Sequence, residues 1–285
     1  YDFVSWNTQA DGTGIAYAEG ELVTSLATSG DVNLYAQWEP HEYGVVFDAQ
    51  GGLGTMASLT LTYDALPVSL PLNTFERVGY TFAGWNTSPD GTGDAYADGA
   101  RVRNLVPEGQ GVLYAQWTPN EFAVSFDANG GVGTMPSQVF TYDAPQALAA
   151  QAFEREGYTF AGWASSEAGP IVYTDAQVVT NPLFEAGSRT LYAIWKPNTY
   201  SVVFDAQGGT GAMSELSLVY DDDAVKLPAH AFMRYGYTFA GWNTSSDGMG
   251  VLYDDQASVR NLATSGTTKL YAQWTPNHYV VAFNP

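Results

Sequence analysis

The chain has 285 residues, no cysteine, and 30 acidic against 10 basic side chains, for a formal charge of −20. Binding phosphates or an anionic bilayer surface needs clustered Lys and Arg, so the balance argues against nucleic acid and against docking on an anionic membrane; the missing thiols exclude disulfides, thiolate zinc sites, iron–sulfur clusters and cysteine nucleophiles. Apolar residues at 45% and aromatics at 14% suffice for packed cores, no run of about 18 apolar residues crosses a bilayer, and the length allows about two to four domains.

The chain opens at Tyr1 with neither Met nor a basic-then-apolar leader, so we expect a piece of a longer protein. Residues 1–40 carry Trp6-Asn7-Thr8 and close on Leu34-Tyr35-Ala36-Gln37-Trp38. Both patterns return. Trp85, Trp163 and Trp242 follow Trp6 at spacings of 79, 78 and 79 residues, and Trp117, Trp195 and Trp274 follow Trp38 at the same spacings, with 32 residues between the two series in every copy. All eight tryptophans and all tyrosines but Tyr235 fall on this lattice. A residue type repeated at fixed phase serves the fold of the unit more often than chemistry, which needs singletons.

One full unit reads in order. Tyr43–Phe47 alternates with period two and predicts a strand. Asp48-Ala49-Gln50-Gly51-Gly52 is a turn in which glycine supplies positive φ. Met56, with Met135 and Met213, reads as a core plug. Leu59–Tyr63 is a second strand. Leu70–Gly79, with an early Pro, Asn73 or Thr74 as N-cap and a terminal Gly, predicts one or two helical turns. Tyr80–Trp85 is a third strand, placing Trp85 and Phe82 on opposite faces if regular. Asn86–Gly93 is a polar loop, Tyr96 and Val102–Leu105 mark a short weak segment, and Val112–Trp117 is the last strand. Thr118-Pro119-Asn120 then leads into the next Phe122–Phe126; Glu39-Pro40-His41, Lys196-Pro197-Asn198 and Thr275-Pro276-Asn277 are the equivalent short, stiff joints. The order predicts an α+β unit, mostly β.

The strings Val124–Gly131 (VSFDANGG), Arg155–Trp163 (REGYTFAGW) and Leu113–Asn120 (LYAQWTPN) resemble the Listeria–Bacteroides repeat, also called the internalin B-repeat, and the resemblance recurs over nearly the whole chain. It implies tandem β-grasp-like modules of about 78 residues, each with one short helix, that occur in secreted and surface-anchored bacterial proteins, often as stalks beside an adhesive domain. It carries no catalytic residues to transfer. In its phase the complete units are 43–119, 122–197 and 200–276, with 1–40 the second half of a unit and 279–285 the first strand of a further one. The third block departs from the pattern, with Ser166-Glu167-Ala168-Gly169-Pro170 where its neighbours carry Asp-Gly.

Side chains with chemical potential are weighed against this frame. Asp11, Asp90, Asp94, Asp98, Asp247, Asp254 and Asp255 lie in loops rich in oxygen, yet their spacing is not that of an EF-hand and Asp-Gly pairs are ordinary turn chemistry. Asp221-Asp222-Asp223 reads as a solvated turn. Thirty acids make chance carboxylate pairs certain, so none is assigned to glycoside hydrolysis. His41 and His278 stand where other joints carry Asn120 and Asn198, a polar surface role, and His230 is a singleton. Arg77, Arg155 and Arg234 recur before Gly-Tyr or x-Gly-Tyr and read as helix-end cations on last-turn carbonyls. Lys196, Lys226 and Lys269 sit at different phases, which excludes a Lys cross-link repeated in every unit.

The expectation is a non-enzyme with no catalytic, cofactor or metal residues and no cofactor. It is an extracellular rod of a bacterial surface or secreted protein that spaces an adhesive or effector domain, its partners being neighbouring repeats. The alternatives are that the repeats themselves bind a host protein or a glycan by avidity, marked by exposed aromatics at one phase in each unit, or assemble into filaments through unpaired ends.

Overall fold

A computed structural model describes residues 1–183 and 189–283. Residues 1–40 form β1 (Asp2–Asn7), β2 (Ala16–Tyr17) and β3 (Tyr35–Glu39), in the order β2-β1-β3 with antiparallel pairs. The next unit comprises β4 (Glu42–Asp48), β5 (Leu59–Thr62), β6 (Val68–Ser69), β7 (Tyr80–Asn86), β8 (Ala95–Tyr96), β9 (Arg101–Val102) and β10 (Gly109–Pro119). Five of these make a mixed sheet in the order β5-β4-β10-β7-β8, and β6 pairs with β9. Two further five-stranded sheets repeat this order. The first runs on Glu121–Asp127, Gln138–Thr141, Tyr158–Ala164, Ile171–Tyr173 and Thr190–Pro197, the second on Thr199–Asp205, Leu216–Val219, Tyr237–Asn243, Leu252–Tyr253 and Gly266–Pro276. The chain divides into two compact units, residues 1–121 with 141–143, and residues 122–140 with 144–285.

The long strand β10 holds its sheet together. Its first half runs parallel to β4, Gly109–Tyr114 beside Tyr43–Asp48, and its second half runs antiparallel to β7, Tyr114–Pro119 beside Asn86–Tyr80. A parallel pair needs a long crossover, and residues 49–108 supply it.

The fold is mostly β, and among the described residues there is no helix. The α in the expected α+β class, placed on Leu70–Gly79, is therefore corrected. That segment is irregular and docked by its backbone: Leu70 N–H donates to Ala100 at 2.8 Å, and Leu53 and Glu76 exchange bonds of 2.7 and 2.9 Å. Asn73 caps no helix. Its carbonyl takes the Phe75 N–H two residues on, at 2.9 Å, an Asx-type turn that competes with helix. Residues 279–283, expected as the first strand of a further unit, lie in no strand, and Asn284 and Pro285 fall outside the described residues.

Each five-stranded sheet packs one face on its own core. Trp85 is buried in a box of Phe47, Phe75 and Phe82, with ring centroids at 4.8, 6.0 and 4.9 Å; Trp163 and Trp242 have the same surroundings. Phe82 and Trp85 share a face because the strand is not regular. A bulge shifts the register between Phe82 and Gly84, where Gly84 takes φ +132° and a Cβ would lie 2.7 Å from the Tyr96 carbonyl oxygen. Truncating Trp163 to Ala should leave a cavity inside a closed aromatic box and cost about 3–5 kcal/mol in denaturant unfolding; a loss below about 1 kcal/mol would contradict the box.

Candidate functional site

The recurring polar constellation lies where one sheet hands over to the next. β10 ends at Pro119 and the next strand starts at Glu121; Pro197 and Thr199 are related in the same way. Only Asn120 or Asn198 stands between, and it is held from both sides. Asn120 N–H donates to Gly79 at 2.8 Å, the Thr81 hydroxyl donates to its side chain at 2.6 Å, and its carbonyl accepts from Tyr142 N–H at 2.9 Å. Asn198 repeats this with Gly157 at 2.9 Å, Thr159 at 2.6 Å and Tyr220 at 2.8 Å.

Beside each joint a tyrosine of one unit meets a Tyr-Asp turn of the next. Tyr1 meets Tyr63 edge-on at 5.9 Å, Tyr80 meets Tyr142 at 5.5 Å and Tyr158 meets Tyr220 at 5.9 Å. In each case the first phenol donates to the turn carboxylate, Asp64 at 2.7 Å, Asp143 at 2.9 Å and Asp221 at 3.0 Å. The three turn aspartates have φ of 59°, 60° and 62°, a left-handed conformation that Asp tolerates better than most residues. Asn104 clamps Asp64 from its own unit and Asn261 clamps Asp221, each by a reciprocal pair of bonds of 2.7 or 2.8 Å. Asp221 is thus not the merely solvated turn residue of the sequence reading. Its place at the joint was hidden because its partner Tyr158 lies 63 residues away.

Arg77, Arg155 and Arg234 also differ from expectation. With no helix present they serve no helix end. Each donates to a carbonyl of a distant turn, Gln50 at 3.1 Å, Asn129 at 3.4 Å and Gln207 at 3.3 Å, and lies over the joint tyrosine, with guanidinium carbons 3.9 Å from the Tyr80 ring and 4.0 Å from those of Tyr158 and Tyr237. Gly79 and Gly157 complete the seat. Both have positive φ, and a Cβ on either would overlap the ring of Tyr142 or Tyr220.

The first joint has its own variation. His41 lies 2.9 Å from Asp2 through Nε2 and 3.3 Å from Glu108 through Nδ1, so it bridges carboxylates instead of merely facing water, and it holds Asp2 below the usual carboxylate range. His230 lies flat on Phe239 at 4.1 Å and contacts Asp255 at 3.1 Å, at a position where other units carry Asn73 and Gln151. His278 is exposed.

The acidic loops spend their oxygens internally. Asp90 accepts from the Ser88 hydroxyl at 2.6 Å, the Thr92 hydroxyl at 2.7 Å and Thr92 N–H at 3.1 Å, and these bonds lower its pKa to about 2. Asp247 and Asp11 make the same kind of turn. Asp98 and Asp255 accept the N–H groups of Asn73 and His230. Among the described residues no group of three His, Asp or Glu side chains could hold a metal ion. The organiser that sequence reading missed is Asn86, only 3% exposed, which donates to the Gly91 and Gly93 carbonyls and accepts from Ser88 and Gly93 N–H. Asn7 and Asn243 do likewise; the third block has Ala164 there, consistent with its different loop.

Trp85, Trp163 and Trp242 are at most 1% exposed. Trp117, Trp195 and Trp274 are half-buried and donate to Ala49, Ala128 and Ala206 at 2.8–2.9 Å. The repeated tryptophans are therefore core, and only Trp6 and Trp38 of the half-unit are exposed.

The family model of the Listeria–Bacteroides repeat domain matches residues 1–37, 43–116, 122–194 and 200–273. The chain belongs to this repeat family. It is 34% identical over 99% of its length to a putative Gly-rich membrane protein of Evansella cellulosilytica, and 30% identical over 87% to a putative membrane protein of the same organism. It is 31% identical over 68% of its length to Internalin H of Listeria monocytogenes. It spans 31%, 35% and 33% of those relatives, about a third of each. No helix of the described residues is long and apolar enough to cross a membrane.

Two outcomes follow from the joint geometry. Gly157→Ala should destabilise the protein more than Gly236→Ala in thermal unfolding. Both pay the left-handed strain of about 1–2 kcal/mol, but only the first collides with a tyrosine, since nothing lies within 4 Å of a Cβ at Gly236; equal costs would contradict the seat.

The second concerns pH. The Asn261 amide, then the Tyr158 hydroxyl and nearby Arg260, hold Asp221 below its ordinary 3.8, while burial and the Asp221 bond raise Tyr158 above its ordinary 10.0. A lowered carboxyl stabilises the fold above 3.8 and ceases to as pH falls through the folded value; a raised phenol stabilises below 10.0 and ceases to as pH rises through its folded value. The melting-temperature difference between the parent chain and Tyr158→Phe should be largest near neutrality and shrink below pH 3.8 and above pH 10.0. A difference independent of pH would contradict the bond.

Proposed function

We propose that the chain is a non-catalytic, extracellular repeat stalk of a bacterial surface or secreted protein, and that its joints set the distance at which another domain is presented. The observation that carries this reading is the repeated joint: a single residue between strands, locked on both sides, with a Tyr-to-Asp bond and an arginine over the tyrosine. A chain selected only to tether would need no such lock. The units of the stalk are 43–119, 122–197 and 200–276, preceded by the half-unit 1–40, and the mixed sheet with its central parallel pair supports the β-grasp-like reading, with an irregular segment standing where the resemblance implies a helix. The names membrane protein and internalin among the relatives support a place at the cell surface. Excess negative charge would keep neighbouring stalks apart. A glycan-binding role gains nothing from the complete units, whose repeated tryptophans are core.

Small-angle scattering tests the stalk. A unit of this size has a radius of gyration near 12 Å, so three and a half units end to end should extend roughly 100–140 Å. A maximum dimension well under about 80 Å would sink the reading.

A further inference from the structure

The paired tyrosines carry a chemistry that the stalk reading does not use. Tyr80 and Tyr142 lie with ring centroids 5.5 Å apart, and Tyr158 and Tyr220 with centroids 5.9 Å apart, each pair edge to face at 77°. Gly79 and Gly157 hold the second ring of each pair in place, since a Cβ on either would overlap it. All four tyrosines are half-buried, so an electron can leave them to an oxidant in solution. In each pair one phenol already donates to a carboxylate, Tyr80 to Asp143 at 2.9 Å and Tyr158 to Asp221 at 3.0 Å. That bond gives the hydroxyl proton somewhere to go when the electron leaves. Two rings held in contact also couple without a chance encounter, which a fixed geometry favours strongly over random pairing. The chain has no cysteine for a disulfide, and Lys196, Lys226 and Lys269 stand at different phases of the repeat, so neither residue type can supply a link that recurs from unit to unit.

We propose that Tyr80 with Tyr142, and Tyr158 with Tyr220, are sites of oxidative cross-linking, where a one-electron oxidant of the haem peroxidase class, driven by hydrogen peroxide, joins each pair as dityrosine. Each phenol gives up one electron and its hydroxyl proton. The proton of Tyr158 passes to Asp221 and that of Tyr80 to Asp143, and from there to water; Tyr220 and Tyr142 release theirs to water. The two phenoxyl radicals form one carbon–carbon bond between ring positions beside the hydroxyls. The hydrogen on each of those carbons moves to the phenoxyl oxygen, which restores both phenols. The two electrons and two protons reduce one hydrogen peroxide to two waters. The bridge closes a loop across the joint and restricts the unfolded chain, as a disulfide of similar span would. It needs no elongated shape and would form in a compact chain as well, so scattering tests the stalk and not the bridge.

The test treats the full chain, folded and dilute, with a haem peroxidase and limiting hydrogen peroxide, then digests the product for mass spectrometry. The expected product is a monomer with dityrosine fluorescence. Its digest should contain a linked peptide pair carrying Tyr158 and Tyr220, lighter than its two parts by two hydrogens, and a second such pair carrying Tyr80 and Tyr142. Tyr220→Phe should remove the first linked pair and leave the second, which serves as the internal standard; Tyr158→Phe should do the same. Asp221→Asn keeps a residue that tolerates the left-handed conformation and accepts the phenol, but its amide is no base. The yield of the Tyr158–Tyr220 link should then fall severalfold against the Tyr80–Tyr142 link in the same sample. Circular dichroism checks that each variant is folded. Oxidation of the folded chain that yields only linked dimers, or links these tyrosines to other partners, overturns the proposal. Equal yields from folded and urea-unfolded chain also overturn it, because the contacts then select nothing. An unchanged yield in Asp221→Asn overturns the proton path through the carboxylate.

Discussion

Pairing of β4 with β10 is the constraint on which each unit depends. The two strands lie side by side and parallel although Tyr43 and Gly109 are 66 residues apart, so neither half of a unit can close its core alone. In residues 1–40, whose sheet holds no such parallel pair, Gly30–Leu34 forms no strand and β3 starts at Tyr35. Trp6 is 39% exposed where Trp85 is 1% exposed, and Trp38 lacks the turn carbonyl that Trp117 finds in Ala49. Closing such long loops costs entropy before any burial compensates, and the aromatic box around each buried tryptophan offsets that cost.

The joint adds a second level of order with modest chemistry. The ion pairs beside it, Arg103 with Asp64 and Arg260 with Asp221, are exposed. A phenol, a carboxylate in a left-handed turn, an arginine over a ring and one asparagine are each weak and partly wet, but they restrict the same single residue from several directions. The glycine beneath the turn tyrosine makes the arrangement selective, because any side chain there would occupy the space of the ring.

Much of this was legible in residue spacing. Strands β4, β5, β7 and β10 announced themselves by alternation, and the tryptophan lattice marked the period. The helix on Leu70–Gly79 was misread because Pro71, Asn73 and Gly79 are cap residues as well as turn residues, and local chemistry does not reveal that Leu53 and Ala100 supply the backbone partners. Phe82 shares the face of Trp85 because a bulge before Gly84 breaks the regular alternation that would separate them. Asp221 is an exposed turn residue, as its charge run with Asp222 and Asp223 implies, but that run carries no sign of its bonds to Tyr158 and Asn261.

The sequence by itself determined the period, the strand content, the family and the exclusion of cysteine chemistry, since these depend on composition and on near neighbours along the chain. Only the tertiary structure decided which tryptophans are core, where Arg77 and its counterparts donate, and that Tyr80 and Asp143 meet. Those contacts join residues tens of positions apart, and their pairing follows from strand register, bulges and the short Pro-Asn joint, which no local pattern encodes.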